Sequence, residues 1–162
     1  MAEIKRRRLP AGIQSFLKIR KENYLYVDKS DLVWQLANNG DTYNYLSRPR
    51  RFGKSLLVDT LQAYFEGKKE LFEGLKIMEM EQEWKSYPII RFDMSMAGAT
   101  PEGIQCYFNE VFTAYESKYG ITPLSLTALS NRFKNIIVKA YEQTGLPVVV
   151  LIDEYDAPLQ HS

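Results

Sequence analysis

What this chain has little of narrows its reading first. In 162 residues there is one cysteine, Cys106, and one histidine, His161. A single thiol excludes an internal disulfide and suits a reducing compartment. One thiol and one imidazole also exclude a zinc site assembled from Cys and His. Charge of one sign is lacking too: the net charge is +1, which argues neither for nor against a nucleic-acid partner. No apolar run approaches the length of a membrane span. The basic cluster Lys5-Arg6-Arg7-Arg8 is not followed by the apolar stretch of a signal peptide. It reads as a solvated tail on a protein with no membrane partner, and the expected location is the cytoplasm.

What is present is ordinary for a globular chain, with 45% apolar and 25% charged residues. A chain this long suits one domain and can bury roughly 70% of its unfolded surface. The expected organisation is a basic N-terminal segment over 1–22 and one domain over 23–162. Tyr24 to Val27 read as a brief strand, and Ser30 as the N-cap of a helix over 31–37. Asp28 and Lys29 read as cap and surface charges. A helix after Ser55 carries Leu57, Leu61 and Phe65 at i, i+4, i+8, with Leu56 and Tyr64 beside them and Gly67 as its stop. The stretch 71–80 reads as a turn or short strand. Pro88 opens a strand ending at Asp93. Thr100-Pro101 is an N-cap followed by proline at the first helical position. Ile104, Phe108, Val111, Phe112 and Tyr115 form that helix's inner face, with Cys106 opposite. Leu129, Phe133, Ile136, Ile137 and Ala140 pattern a further helix closed by Gly145.

Two stretches carry chemistry. The first, Tyr43 to Ser55, reads as a short strand at Tyr43 to Leu46, a loop from Ser47, and Gly53-Lys54-Ser55 opening the helix. Helix N-terminal N–H groups and the positive dipole end face an anion there, and Gly53 permits close backbone approach. Lys54 would reach the β- and γ-phosphates and the Ser55 hydroxyl would ligate Mg²⁺. The first glycine of the phosphate-loop consensus is missing, with Arg48 in its place, and Gly-Lys-Ser alone also suits a solvated helix start. The second stretch is Pro147-Val-Val-Val-Leu-Ile-Asp-Glu. Its apolar, mostly β-branched run describes a strand buried on both faces of a parallel sheet. Asp153 at its end would hold Mg²⁺ and Glu154 would orient or deprotonate the attacking water. Acids there also suit a chain that has simply reached water. Together the two stretches favour nucleotide binding. Tyr26 and Val27 would flank a purine ring if their segment folds over the loop.

Ser47 to Leu57 (Ser-Arg-Pro-Arg-Arg-Phe-Gly-Lys-Ser-Leu-Leu), with Tyr26 to Ser30 before it and Val150 to Asp156 after it, resembles the AAA-ATPase-like family. These are bacterial P-loop proteins whose ATPase region is often followed by a nuclease-like domain. The resemblance implies an α/β fold, a P-loop three-layer sandwich around a parallel sheet, truncated here after the Walker B strand. It implies ATP and Mg²⁺ as cofactors, with Gly53, Lys54 and Ser55 on the nucleotide; Arg50, Arg51, Phe52 and Leu56 complete the candidate nucleotide loop, the arginines adding attraction to a triphosphate and Phe52 packing beneath it. Ser55 and Asp153 go to the metal, with Glu154 as the catalytic base. The family's later strand and arginine finger fall beyond Ser162, so hydrolysis is expected to be weak and exposed sheet edges to favour self-association. Two alternatives stay open: a non-catalytic interaction module, or a nucleic-acid binder using Arg48, Arg50 and Arg51. No base-selective Asn-Lys-x-Asp motif separates ATP from GTP.

Overall fold

The periodicities in the sequence become helices with identifiable starts and stops. The computed structural model describes residues 7–10, 15–41, 43–44, 54–122 and 127–154. It is a mixed helix and strand structure whose contacts divide it into two units, Met1–Ser86 and Tyr87–Ser162.

In the first unit, α1 (Phe16–Lys21), α2 (Ser30–Asn38) and α3 (Lys54–Phe65) gather around an apolar core. Phe16, Val33, Phe72 and Ile77 are its fully buried members, and Leu57, Ala63 and Tyr64 pack on them. The Phe16 and Phe72 rings sit 4.8 Å apart and Trp84 closes on Phe72 at 5.2 Å. The buried line of α3 is Leu57, Thr60 and Tyr64, spaced i, i+3, i+7, so the expected Leu61 and Phe65 sit on its half-buried shoulder. Thr60 fits inside because its hydroxyl donates to the Leu56 carbonyl one turn back, at 2.7 Å. Gly67 ends α3 with φ +72°.

Three local expectations are corrected here. Tyr24 to Val27 form no strand; Leu25 N–H donates to the Arg8 carbonyl at 2.8 Å and the segment is otherwise irregular. Ser30 is the first residue of α2 and not its cap, because Asp28 does the capping: its Oδ1 accepts the Ser30 N–H at 2.9 Å and hydroxyl at 2.6 Å. The stretch 71–80 is helical, a 3₁₀ turn at Lys69–Phe72 followed by α4 (Ile77–Met80). Asp28 Oδ2 accepts the Lys76 N–H at 2.8 Å and Ser30 Oγ the Ile77 N–H at 3.0 Å, which satisfies the donors that open α4.

The second unit is built on a parallel pair, β1 (Ile89–Asp93) and β2 (Val149–Asp153), with Ile89 opposite Val149 and Asp93 opposite Asp153. Parallel strands need a long crossover, supplied by α5 (Pro101–Lys118) and α6 (Leu129–Thr144). The Thr100 hydroxyl accepts the Gly103 N–H at 3.0 Å, and Gly145 closes α6 at φ +70°. Ile90, Phe92, Phe112, Ile136 and Ala140 form the core. Between the helices Arg132 pairs with Glu116, both side chains nearly buried. Two β1 donors are taken by hydroxyls of α5 instead of by a strand: Arg91 N–H by Tyr115 at 3.0 Å and Asp93 N–H by Tyr107 at 2.7 Å.

The expectation that β2 is buried on both faces is also corrected. Val150 is 38% and Ile152 50% exposed. They share a face with Ile90 and Phe92, their register partners, but those two are buried and these are not. Within this unit α5 and α6 therefore cover β1 and stop short of β2. They leave an apolar groove of about 430 Å³ between Phe92, Phe108, Phe133, Val150 and Ile152. Among the described residues no helix is long and apolar enough to cross a membrane.

Candidate functional site

The expected site falls in two halves, one in each unit, and each half is placed by its own neighbours. In the first unit, Lys54 and Ser55 open α3. Ser55 and Leu56 are half-buried, and Leu56 packs against the core. The strand expected at Tyr43 to Leu46 is not formed at Tyr43 and Asn44, which are irregular; Tyr45 and Leu46 lie outside the described residues. So do Arg48, Arg50, Arg51, Phe52 and Gly53, and the Lys54 side chain. Asp59 Oδ2 accepts the Phe16 N–H at 2.6 Å, tying α3 to the first turn of α1.

Tyr26 packs at the edge of the first unit's core, and the loop it is expected to fold over lies outside the described residues. Its ring packs edge-on against Phe16 at 5.4 Å, and its hydroxyl bonds Thr60. Burial holds the Tyr26 phenol above its ordinary value, against the pull of that hydrogen bond. Val27 beside it is 71% exposed.

In the second unit the C-terminal ends of β1 and β2 bring together Asp93, Asp153 and Glu154. Asp93 is consumed locally: its Oδ1 accepts the Ser95 N–H at 3.0 Å and hydroxyl at 2.5 Å, capping a 3₁₀ turn at Met94–Met96. Asp153 is buried at 3% exposure, as few unpaired acids are. Its Oδ1 accepts the Glu154 N–H at 2.9 Å, and its Oδ2 lies 3.7 Å from Arg91 Nη2. Glu154 is half-buried and adopts φ +53°, a left-handed conformation that a residue with a Cβ enters at a cost of about 1–2 kcal/mol. The backbone thus swings away sharply just after Asp153.

A magnesium ion fits the donor chemistry at Asp153. Mg²⁺ is commonly held by one or two carboxylates together with waters and phosphate oxygens, not by an all-protein cage. Asp153 offers one carboxylate whose outer oxygen makes an ion pair longer than a hydrogen bond. Among the described residues no cluster of three or more His, Cys, Asp or Glu stands ready for a different kind of metal centre.

Sequence reasoning missed Arg91. The signal was available, since a cation inside the apolar strand Ile-Ile-Arg-Phe-Asp, laid parallel to Val-Val-Leu-Ile-Asp, falls diagonal to the terminal acid. It needed the pairing of the two strands, which motif spacing alone does not supply.

A family model described as predicted AAA-ATPase, AAA-ATPase-like, matches residues 10–162. The chain is 40% identical over 160 residues to the "Uncharacterized protein in vnfD 5'region" of Azotobacter chroococcum mcd 1. That alignment covers 95% of this chain and 30% of the relative, so the chain spans under a third of the relative's length. No solved structure matches.

Proposed function

Because the chain belongs to this AAA-ATPase-like family, we propose that it is an Mg²⁺-dependent ATP-binding module with slow hydrolysis. The observation that carries the reading is Asp153, a buried carboxylate at the C-terminal end of a parallel strand. This is the position at which open α/β sheets meet their ligands. The fold that accompanies the reading is a P-loop three-layer sandwich, with β1 and β2 as two strands of its parallel sheet.

In this reading Lys54 neutralises the β- and γ-phosphates, while the N–H groups at the start of α3 and the Gly53 backbone cradle them. Arg50, Arg51, Phe52 and Leu56 complete the loop around the nucleotide. The Ser55 hydroxyl and the Asp153 carboxylate hold Mg²⁺, which when bound supplies neutralisation of the charge building on the phosphates. Glu154 orients the attacking water and accepts its proton. In P-loop enzymes an arginine finger contributes about 10³ to 10⁵ in rate, and no described residue is assigned that part. The chain alone is therefore expected to turn over at about 10⁻⁴ to 10⁻² s⁻¹. A cytoplasmic location goes with the single free thiol, Cys106.

Titration with a fluorescent ATP analogue, with and without Mg²⁺, tests the proposal on wild type and Lys54→Ala. Saturable Mg²⁺-dependent binding that Lys54→Ala abolishes is the expected result. Equal binding by both proteins, or none by either, overturns it. In the second case, salt-dependent capture of single-stranded nucleic acid that survives Lys54→Ala would point to the arginines of the loop instead.

A further inference from the structure

The parallel register sets Arg91 opposite Leu151 and Asp93 opposite Asp153. Arg91 and Asp153 are therefore diagonal neighbours on one face of the sheet, within reach for a long side chain. The guanidinium and the carboxylate approach to 3.7 Å, with side-chain exposures of 26% and 5%. Asp93, the nearer acid by position, is already held by Ser95. Among the described residues Arg91 is the cation paired with Asp153.

We propose that Arg91 is the resident counter-cation of Asp153 and sets the Mg²⁺ concentration at which nucleotide binds. The inference rests on the reading of Asp153 as the metal-binding carboxylate. A buried carboxylate without a compensating charge is costly, so in the metal-free protein Arg91 keeps Asp153 tolerable where it stands. The same fixed positive charge opposes a dication at that carboxylate. The looseness of the pair is what makes it replaceable, since at 3.7 Å no Arg91–Asp153 hydrogen bond has to be broken for Oδ2 to meet a metal, while Oδ1 keeps the Glu154 N–H. Arg91 is thus a positioning residue: it acts on the metal through Asp153 and does not touch the nucleotide.

The test is a Mg²⁺ titration of the full chain at fixed fluorescent ATP analogue, comparing wild type with Arg91→Gln and Arg91→Lys. The half-saturating Mg²⁺ concentration is expected to fall about tenfold in Arg91→Gln, where the opposing charge is gone. In Arg91→Lys, whose shorter chain holds the charge farther off, the expected fall is about threefold. Affinity for the analogue in EDTA stays as in wild type for both. Where Arg91→Gln does not fold, Arg91→Lys decides the matter alone. A Mg²⁺ requirement that is unchanged or raised in variants that still bind the analogue overturns this inference and leaves the nucleotide reading standing. No Mg²⁺-dependent binding in wild type overturns both.

Discussion

Glu116 and Arg132 show how much a single side chain can carry in the second unit. Arg132 Nη2 donates to Glu116 Oε1 at 2.5 Å and Nε to the same oxygen at 3.2 Å, while Nη1 reaches Asn109 Oδ1 at 2.5 Å. With both partners almost dry, removing one leaves a buried charge uncompensated, at roughly 3–5 kcal/mol. Arg132→Ala is expected to lower unfolding free energy by about that much. Arg132→Met combined with Glu116→Leu should recover most of it, and urea denaturation of the three proteins decides between the two outcomes. Asp28 makes the equivalent point in the first unit, with pH as the handle. Burial pushes its carboxyl up, but the hydrogen bonds from the Ser30 hydroxyl and from the Lys76 and Ser30 N–H groups, with the Lys76 charge, bring it below the ordinary 3.8. A carboxyl lowered in the folded state adds stability above its ordinary value, and that stability is lost as pH falls through the folded value. Asp28→Asn should therefore cost about 1 kcal/mol at pH 7. The gap from wild type should close as the urea midpoint is followed from pH 5 to below 3.8. A gap that stays constant would mean the charge of Asp28 does nothing for α2 and α4.

At the scale of elements, helix ends were legible and strand surroundings were not. Thr100-Pro101, Gly67 and Gly145 each announce a helix boundary through backbone chemistry that acts within a few residues. The two glycines nevertheless differ in a way no local rule reveals. A Cβ at Gly67 would stand 3.1 Å from the Lys85 carbonyl oxygen, whereas one at Gly145 would meet nothing within 4 Å. Gly145→Ala should therefore cost only the left-handed backbone penalty, about 1 kcal/mol, and Gly67→Ala clearly more. Thermal denaturation side by side checks it, and equal losses would show that the Lys85 backbone yields freely. The misread elements failed for the opposite reason, because distant residues decide them. Val149 to Ile152 has the composition of a strand buried on both faces, yet only Leu151 and Asp153 are buried, since α5 and α6 lie over β1. Asp28 is the cap its position suggested, but Ser30 lies inside α2, and the bonds both make to Lys76 and Ile77, nearly fifty residues away, could not be read locally. The candidate site divides likewise: motifs single out its acids and its Gly-Lys-Ser as candidates, while the Arg91 partner of Asp153 required strand register.

For the molecule as a whole, the pairing of β1 and β2 gives the sheet a direction in which it can grow. On the β1 side, Tyr107 and Tyr115 hydroxyls already occupy backbone donors that another strand would want. On the β2 side, the described residues supply no pairing strand, and Val150 and Ile152 put apolar surface next to that edge. An edge strand that turns apolar, β-branched side chains to water invites pairing with another chain. We propose that the isolated chain self-associates through β2, in preference to β1. Sedimentation velocity should show a weight-average mass that rises with concentration. Ile152→Lys, which puts a charge on the exposed apolar face, should shift that rise to concentrations about tenfold higher, because a lysine on an edge strand is a recurrent block to such pairing. Tyr107→Phe removes one hydroxyl from the β1 side and should leave association unchanged, since the ring and α5 still stand where a strand would have to lie. A wild-type chain that sediments as one monomeric species at every concentration would show that β2 is not available to other chains, and the Ile152→Lys protein would then be indistinguishable from it.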